Sequence, residues 1–311
     1  AVYQLCQQEG RREESMTTAT APVAAPAVRH KKESLFRQVC LRLLRSPVPM
    51  IGLAILLIMV IACICAPLIA PFEPTYMDYS ALNATPNSVH ILGCDQLGRD
   101  IFSRILYGGR LSISLGLICS IVTAIFGVVF GCLVGYAGGA TDNIVMRICD
   151  IWMAIPGMLL CILLSTALGN GFFNTILAMT IGGIPGSIRS TRAMALKERE
   201  MEYLEAAKAM NCSRAKILYK HMMPNIIAPT IVGTTGQIGG TIMQAASLSY
   251  IGLGIPQSSP EWGSMCSAAK DYILTYPHMI IWPGLAILIT VLAINMFGDG
   301  LRDAMDPRLK D

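Results

Sequence analysis

The side chains able to do chemistry are scattered. The chain has eleven cysteines and four histidines, and neither type falls into a ligand pattern. Cys63, Cys65, Cys119, Cys132 and Cys161 lie inside apolar runs, where a thiol acts as a small hydrophobe. Cys63 and Cys65 make a C-x-C, but residues two apart on a helix point away from each other, so no metal site is expected. Cys94 and Cys266 can share one outer face, which leaves a disulfide open. His90 and His278 can share the same face, which leaves a nickel contact open, whereas His30 and His221 stand apart. No G-x-x-x-x-G-K-[ST] phosphate loop occurs, so the chain is not expected to bind or hydrolyse ATP. With no Ser/His/Asp set or HExxH either, the sequence predicts no enzyme, no catalytic residue and no cofactor of its own.

Three constellations remain. The first is Glu202-Tyr-Leu-Glu205-Ala206-Ala207-Lys-Ala-Met-Asn211, followed by Pro224-Asn225. Its residues are strong helix formers, and Asn211 can take the left-handed conformation that ends a helix. A second helical stretch over Ser213–Met222 leads to Pro224, giving a helix-turn-helix. Ala206 and Ala207 would let another protein approach closely; a solvated connecting loop fits the spacing as well. The second constellation is Gln237, Thr241 and Gln244, set among glycines and threonines in an apolar segment. Polar groups at membrane depth face protein or water, so pathway lining and close helix packing both stay open. The third is Asp142, Arg147 and Asp150; helical spacing predicts an Arg147–Asp150 pair that orients its helix at a membrane boundary.

The elements that must position these residues are membrane spans. Of 311 residues, 53% are hydrophobic and 14% charged, well below the ~25% charged typical of soluble proteins. The apolar residues form six runs, near 48–69, 111–136, 144–168, 173–188, 226–248 and 279–297. Roughly 20 helical residues cross a bilayer core of ~30 Å. An all-α polytopic protein with six transmembrane helices follows. Ahead of the first run, Leu35, Phe36, Val39, Cys40, Leu43 and Leu44 recur at helical spacing among arginines, a short amphipathic surface helix. Residues 1–33 read as a disordered cytoplasmic leader, with Met16 as the native start.

Basic residues cluster before the first run (Arg29, Lys31, Lys32, Arg37, Arg42, Arg45), between the fourth and fifth (Arg189 through Lys220) and after the sixth (Arg302, Arg308, Lys310). Six spans put all three clusters on one side, which the positive-inside rule makes cytoplasmic, together with both termini. The loop 72–110 is then outside, where Arg99, Arg104 and Arg110 are offset by Glu73, Asp78, Asp95 and Asp100. The net charge of +4 thus reports orientation in a lipid membrane, with no nucleic-acid partner expected.

Glu205-Ala206-Ala207, a helix-ending residue six places after Glu205, and Pro224 resemble the EAA loop of ABC importer permeases. The chain departs from that pattern at Asn211, where glycine is usual, and at His221 and Met223, where apolar residues are. Leu92–Asp100 with Ser103-Arg104 and Tyr107–Arg110 resembles the dipeptide, oligopeptide and nickel import group of that family. So do Gly135-Tyr136-Ala-Gly138-Gly139 with Asp142, Pro260-Glu261-Trp262-Gly263, and Gly298–Asp303 with Asp306-Pro307. The likeness spans nearly all of 37–310 and is closest to the second of the two permeases in such importers. It implies a type I permease fold whose core, 111–298, carries a coupling loop at 193–224. Glu202, Glu205, Ala206, Ala207, Asn211 and Pro224 would then serve ATPase coupling. It further implies a prokaryotic inner-membrane location, a second homologous permease, two ATPase subunits holding ATP and Mg, and an extracytoplasmic solute-binding protein. Di- or oligopeptide is the implied cargo, with nickel chelate or glutathione as alternatives. An ion-gradient transporter, expected to show buried acidic ion sites or repeated halves, and a non-transporting scaffold are the rival classes.

Overall fold

The computed structural model describes residues 35–305. The predicted leader over 1–33, Met16, and the tail residues Asp306, Pro307, Arg308 and Lys310 lie outside the described residues. Packing divides the chain after Gln38. Of the first unit only Leu35–Gln38 are described, as the opening turn of α1 (Leu35–Arg45).

From Val39 on, the described residues are helical with connecting turns. Pro47, pre-set for a first turn, opens α2 (Pro47–Ile64). Only 17% of the apolar window of α2 is buried within the chain, so Leu57, Ile58 and Ile61 are left for lipid or another subunit. The 37-residue α3 (Ile101–Ala137) is capped by Asp100, whose carboxylate accepts from the Ser103 amide at 2.8 Å. It starts ten residues earlier than the apolar run near 111 suggested, because Ile101 and Leu106 pack into the outer core despite the polar residues between them. Gly138 ends it with φ 63°, a conformation that disfavours a side chain, and the chain turns at once into α4 (Gly139–Met153).

The third apolar run is not one straight span. Between α4 and α5 (Gly157–Leu168) the chain bends by 80°, at Pro156, which disfavours helix in the residue before it. The helices α6 (Phe172–Arg199) and α8 (Met223–Tyr250) each run 28 residues, beyond the apolar segments that mark them. Between them sits the short α7 (Glu202–Ala209). Then follow α9 (Trp262–Ala269) and α10 (His278–Met305). By length and apolarity alone three described helices can cross a membrane (α2, α3 and α10), or four if the bent α4–α5 pair is one span. The polar residues of α6 and α8 keep them below that threshold.

Three layers of core run along the bundle. Cys63, Ile101, Trp262 and Met279 form one end. Leu115, Cys119, Cys161 and Ala245 fill the middle. Cys132, Ala195, Leu204 and Met222 form the other end. The most extensive helix pair is α3 on α6, followed by α2 on α10. The second pair has no room at Gly52, where a Cβ would lie 2.8 Å from the Ala293 carbonyl oxygen. Cys94 and Cys266 are both free and buried, so they are not paired.

Candidate coupling site

α7 is built to be held on one side and open on the other. Leu204 and Ala207 are buried, while Glu202, Glu205 and Ala206 are exposed. Glu202 and Glu205 lie in the first turn, where the helix dipole favours negative charge. Leu204 and Ala207 join Cys132 of α3, Ala195 of α6 and Met223 and Ile226 of α8 in one apolar cluster. The small Ala207 side chain therefore lets α7 lie close against its own bundle, and only Ala206 of the alanine pair is available to another protein.

Asn211 terminates α7 with φ 56°. Its amide donates to the Lys208 carbonyl at 2.9 Å, and the Cys212 amide reaches the Ala207 carbonyl at 3.1 Å. This is the Schellman arrangement, which satisfies carbonyls that a helix end leaves bare. Cys212 completes it by packing against the cluster that holds Ala207. After Ser213, whose hydroxyl caps Lys216, the chain forms a helical turn over Arg214–Lys216 and a π turn over Ile217–Met222. These run straight into α8, with the exposed Pro224 in its first turn. The expected separate helix over Ser213–Met222 is thus the start of one continuous rod.

A polar cluster ties α7 to both long helices. The Tyr203 hydroxyl donates to the Glu198 carboxylate near the end of α6. Asn225, at the start of α8, donates to the same carboxylate at 3.0 Å and to the Tyr203 oxygen at 2.7 Å. Burial, and then Glu198, push the Tyr203 hydroxyl up to about 12. None of these three was singled out from the sequence as a site residue; the one available cue was Asn225 following Pro224.

The boundary charges pair differently from their sequence spacing. Asp150 is held by Arg189 of α6, and Arg147 is exposed. Asp142 takes a two-pronged contact from Arg192, the Nε bond measuring 2.9 Å. The fork geometry of arginine suits carboxylate better across two helices than within one turn, so α4 is strapped to α6. The polar residues of α8 lie apart from α7 along the same rod. Gln237 is exposed and Gln244 half-buried, its amide 3.6 Å from Cys161 Sγ. Thr241 bonds back to the Gln237 carbonyl at 3.0 Å and accepts from Ser120 of α3 at 3.1 Å.

At the opposite end the loop before α3 is a folded plate. Asp95 accepts from the Arg99 Nε at 2.6 Å, and Arg99 and Arg104 both donate to the Gln257 carbonyl at 3.2 Å. Both arginines are buried, so they act as structural cross-links rather than as free positive charge. His90 stacks on Phe72 and meets the Asp100 carboxylate at 3.0 Å. Among the described residues no group of three His, Cys, Asp or Glu could hold a metal.

Residues 127–311 match the family described as binding-protein-dependent transport system inner membrane component. Residues 34–86 match the N-terminal TM domain of oligopeptide transport permease C. The chain is 42% identical to the glutathione transport system permease protein GsiD of Pectobacterium atrosepticum, over 92% of this chain and 95% of that protein. It is 39% identical to the probable D,D-dipeptide transport system permease protein DdpC of Escherichia coli K12, over 91% and 95%. Its fold resembles a chain of the methionine ABC transporter MetNI in an inward facing conformation, with TM-score 0.54 and 17% identity, over 65% of this chain and 96% of that one. The permease of such an importer works with ATPase and substrate-binding partners, and ATP hydrolysis belongs to the former. The chain therefore belongs to the inner-membrane components of binding-protein-dependent transport systems, as a multi-pass permease subunit of an ABC importer of the dipeptide and oligopeptide type.

Proposed function

We propose that this subunit forms half of a translocation pathway for short peptides, with α7 as the helix that receives motion from an ATPase. The observation that carries this is the two-sidedness of α7: Glu202, Glu205 and Ala206 face out, while Leu204 and Ala207 are locked into the packing of three long helices. A push on the exposed face passes through Leu204 and Ala207 into these three helices, because protein interiors pack at near-crystalline density. The arrangement has six crossing segments, both termini in the cytoplasm, and a second homologous permease completing the pathway above two ATPase subunits.

Sidedness is supported by charge and by helix direction. Arg189, Arg192, Lys197, Arg199, Lys208, Arg214, Lys216 and Lys220 gather around α7, the excess expected on the cytoplasmic side. Gly239 of α8 lies against Val291 and Gly236 against Gly298 of α10, so these helices run antiparallel and the end of α10 shares the α7 side. Arg42 bonds the Ala304 carbonyl at 3.4 Å, which brings the Val39–Arg45 stretch there too. Cargo follows from the relatives, whose names specify a glutathione system and a D,D-dipeptide system; both are short peptides, and peptide is preferred over nickel chelate.

The test is Glu205→Lys in the transporter reconstituted with its partners in vesicles. Charge reversal at a docking face costs several kcal/mol, so peptide uptake is expected to fall on the order of tenfold or more while ATP hydrolysis continues. Uptake at the wild-type rate overturns the coupling role.

A further inference from the structure

Beside α7, at the foot of α3, an open cavity of about 630 Å³ has a basic rim and apolar walls. Arg199 from the end of α6, Lys208 from the end of α7 and Arg214 from the following turn converge on it. Among the described residues none of the three has a carboxylate within ion-pair distance. The neighbouring arginines differ: Arg189 and Arg192 are taken up by Asp150 and Asp142. Arg199 is also kept close over the turn after α3, where a Cβ on Gly138 would come within 2.6 Å of its guanidinium. Three cations around one cavity, none of them in an ion pair among the described residues, repel one another and attract an anion.

The walls narrow the kind of anion. Leu133 and Tyr136, in the last turns of α3, line the cavity. Above Leu133 on the same helix, Phe130 and Phe126 are exposed and stacked at 6.0 Å between ring centres. Positions 126, 130 and 133 share one helical face, so an apolar track leads from the basic rim along a membrane-crossing helix. A soluble anion would use the rim alone, whereas an amphiphile uses both.

We propose that this cavity seats the phosphate headgroup of an anionic phospholipid of the cytoplasmic leaflet, with an acyl chain along the Phe126–Leu133 face. The lipid bridges the ends of α6 and α7 and the turn after α7, so its presence stiffens the base on which α7 sits. The assignment of the leaflet rests on the cytoplasmic placement of the coupling loop proposed above; the binding chemistry does not.

The experiment is native mass spectrometry of the purified full chain, delipidated and then mixed with phosphatidylglycerol or phosphatidylcholine. Wild-type protein should retain phosphatidylglycerol in preference, and R199Q/K208Q/R214Q should weaken that retention about five-fold per cation, on the order of 100-fold in all. The variant R199K/R214K keeps the charge and should bind as wild type does, which separates loss of charge from loss of fold. The half-buried Cys212, which lines the cavity, gives a second readout, with Cys212→Ser as control: phosphatidylglycerol should slow its reaction with maleimide and inorganic phosphate should not. Equal retention by the triple-glutamine variant, or equal protection by inorganic phosphate, overturns the lipid site. Glu205→Lys should bind phosphatidylglycerol like wild type. Normal transport by Glu205→Lys sinks the coupling role and leaves the lipid result standing, so the two failures are told apart.

Discussion

The Cys212 amide donates to the Ala207 carbonyl at 3.1 Å, wrapping the chain back over the end of α7 through an asparagine with φ 56°. The bond fixes where α7 stops and where the rod toward α8 begins. It depends on residue 211 tolerating the left-handed region, which costs an ordinary side chain roughly 1–2 kcal/mol.

Asn211→Gly should therefore fold as well as wild type or slightly better, and Asn211→Val should lose roughly 1–2 kcal/mol. Thermal unfolding of the purified transporter measures both. Equal melting temperatures for the two variants would show that the turn does not limit stability.

Tyr203→Phe keeps the ring and deletes the hydroxyl that joins Glu198 to Asn225. A hydrogen bond of this kind contributes roughly 1 kcal/mol, so the fold should survive while α7 and α8 move less tightly together. More ATP hydrolysed per peptide carried is the expected outcome, read by paired hydrolysis and uptake assays. The pH dependence has a definite sign. The Tyr203 hydroxyl is raised to about 12, above its usual ~10. Its stabilising effect is fully present below ~10 and is lost as pH rises through about 12. Coupling that depends on this hydroxyl should be flat between about pH 6 and about pH 9; a Tyr203-dependent change within that window would contradict the assignment.

Along α8, Gln237 is exposed and Gln244 half-buried against Cys161. If this face lines the pathway, Gln237→Cys should react with a water-soluble thiol reagent during turnover and Gln244→Cys more slowly. Reaction at neither position would move the pathway off this face.

Much of this was legible before the structure because the physics is local. Asn211 is one of the few residue types that enter the left-handed region, and Pro224 fits the first turn of a helix. Apolar runs report spans for the same reason: each must match the solvent around it. What stayed hidden depends on distance through space. The Arg147–Asp150 pair looked right on one helix, yet Arg189 lies 39 residues from Asp150 and no periodicity connects them. The break at Pro156 was masked by apolar residues on both sides. Arg99 and Arg104 looked like loop charges because nothing in their own segment shows that Gln257 carries their acceptor.

That acceptor has a mechanical consequence. With 28 residues, α8 is a strut of about 42 Å, fastened near one end by Asn225 and continuing beyond the other to the Gln257 carbonyl that two buried arginines grip. On the sidedness and coupling role proposed above, a stroke delivered at the α7 end would reach the far surface as displacement of the plate around Arg99, gearing that face to the motor.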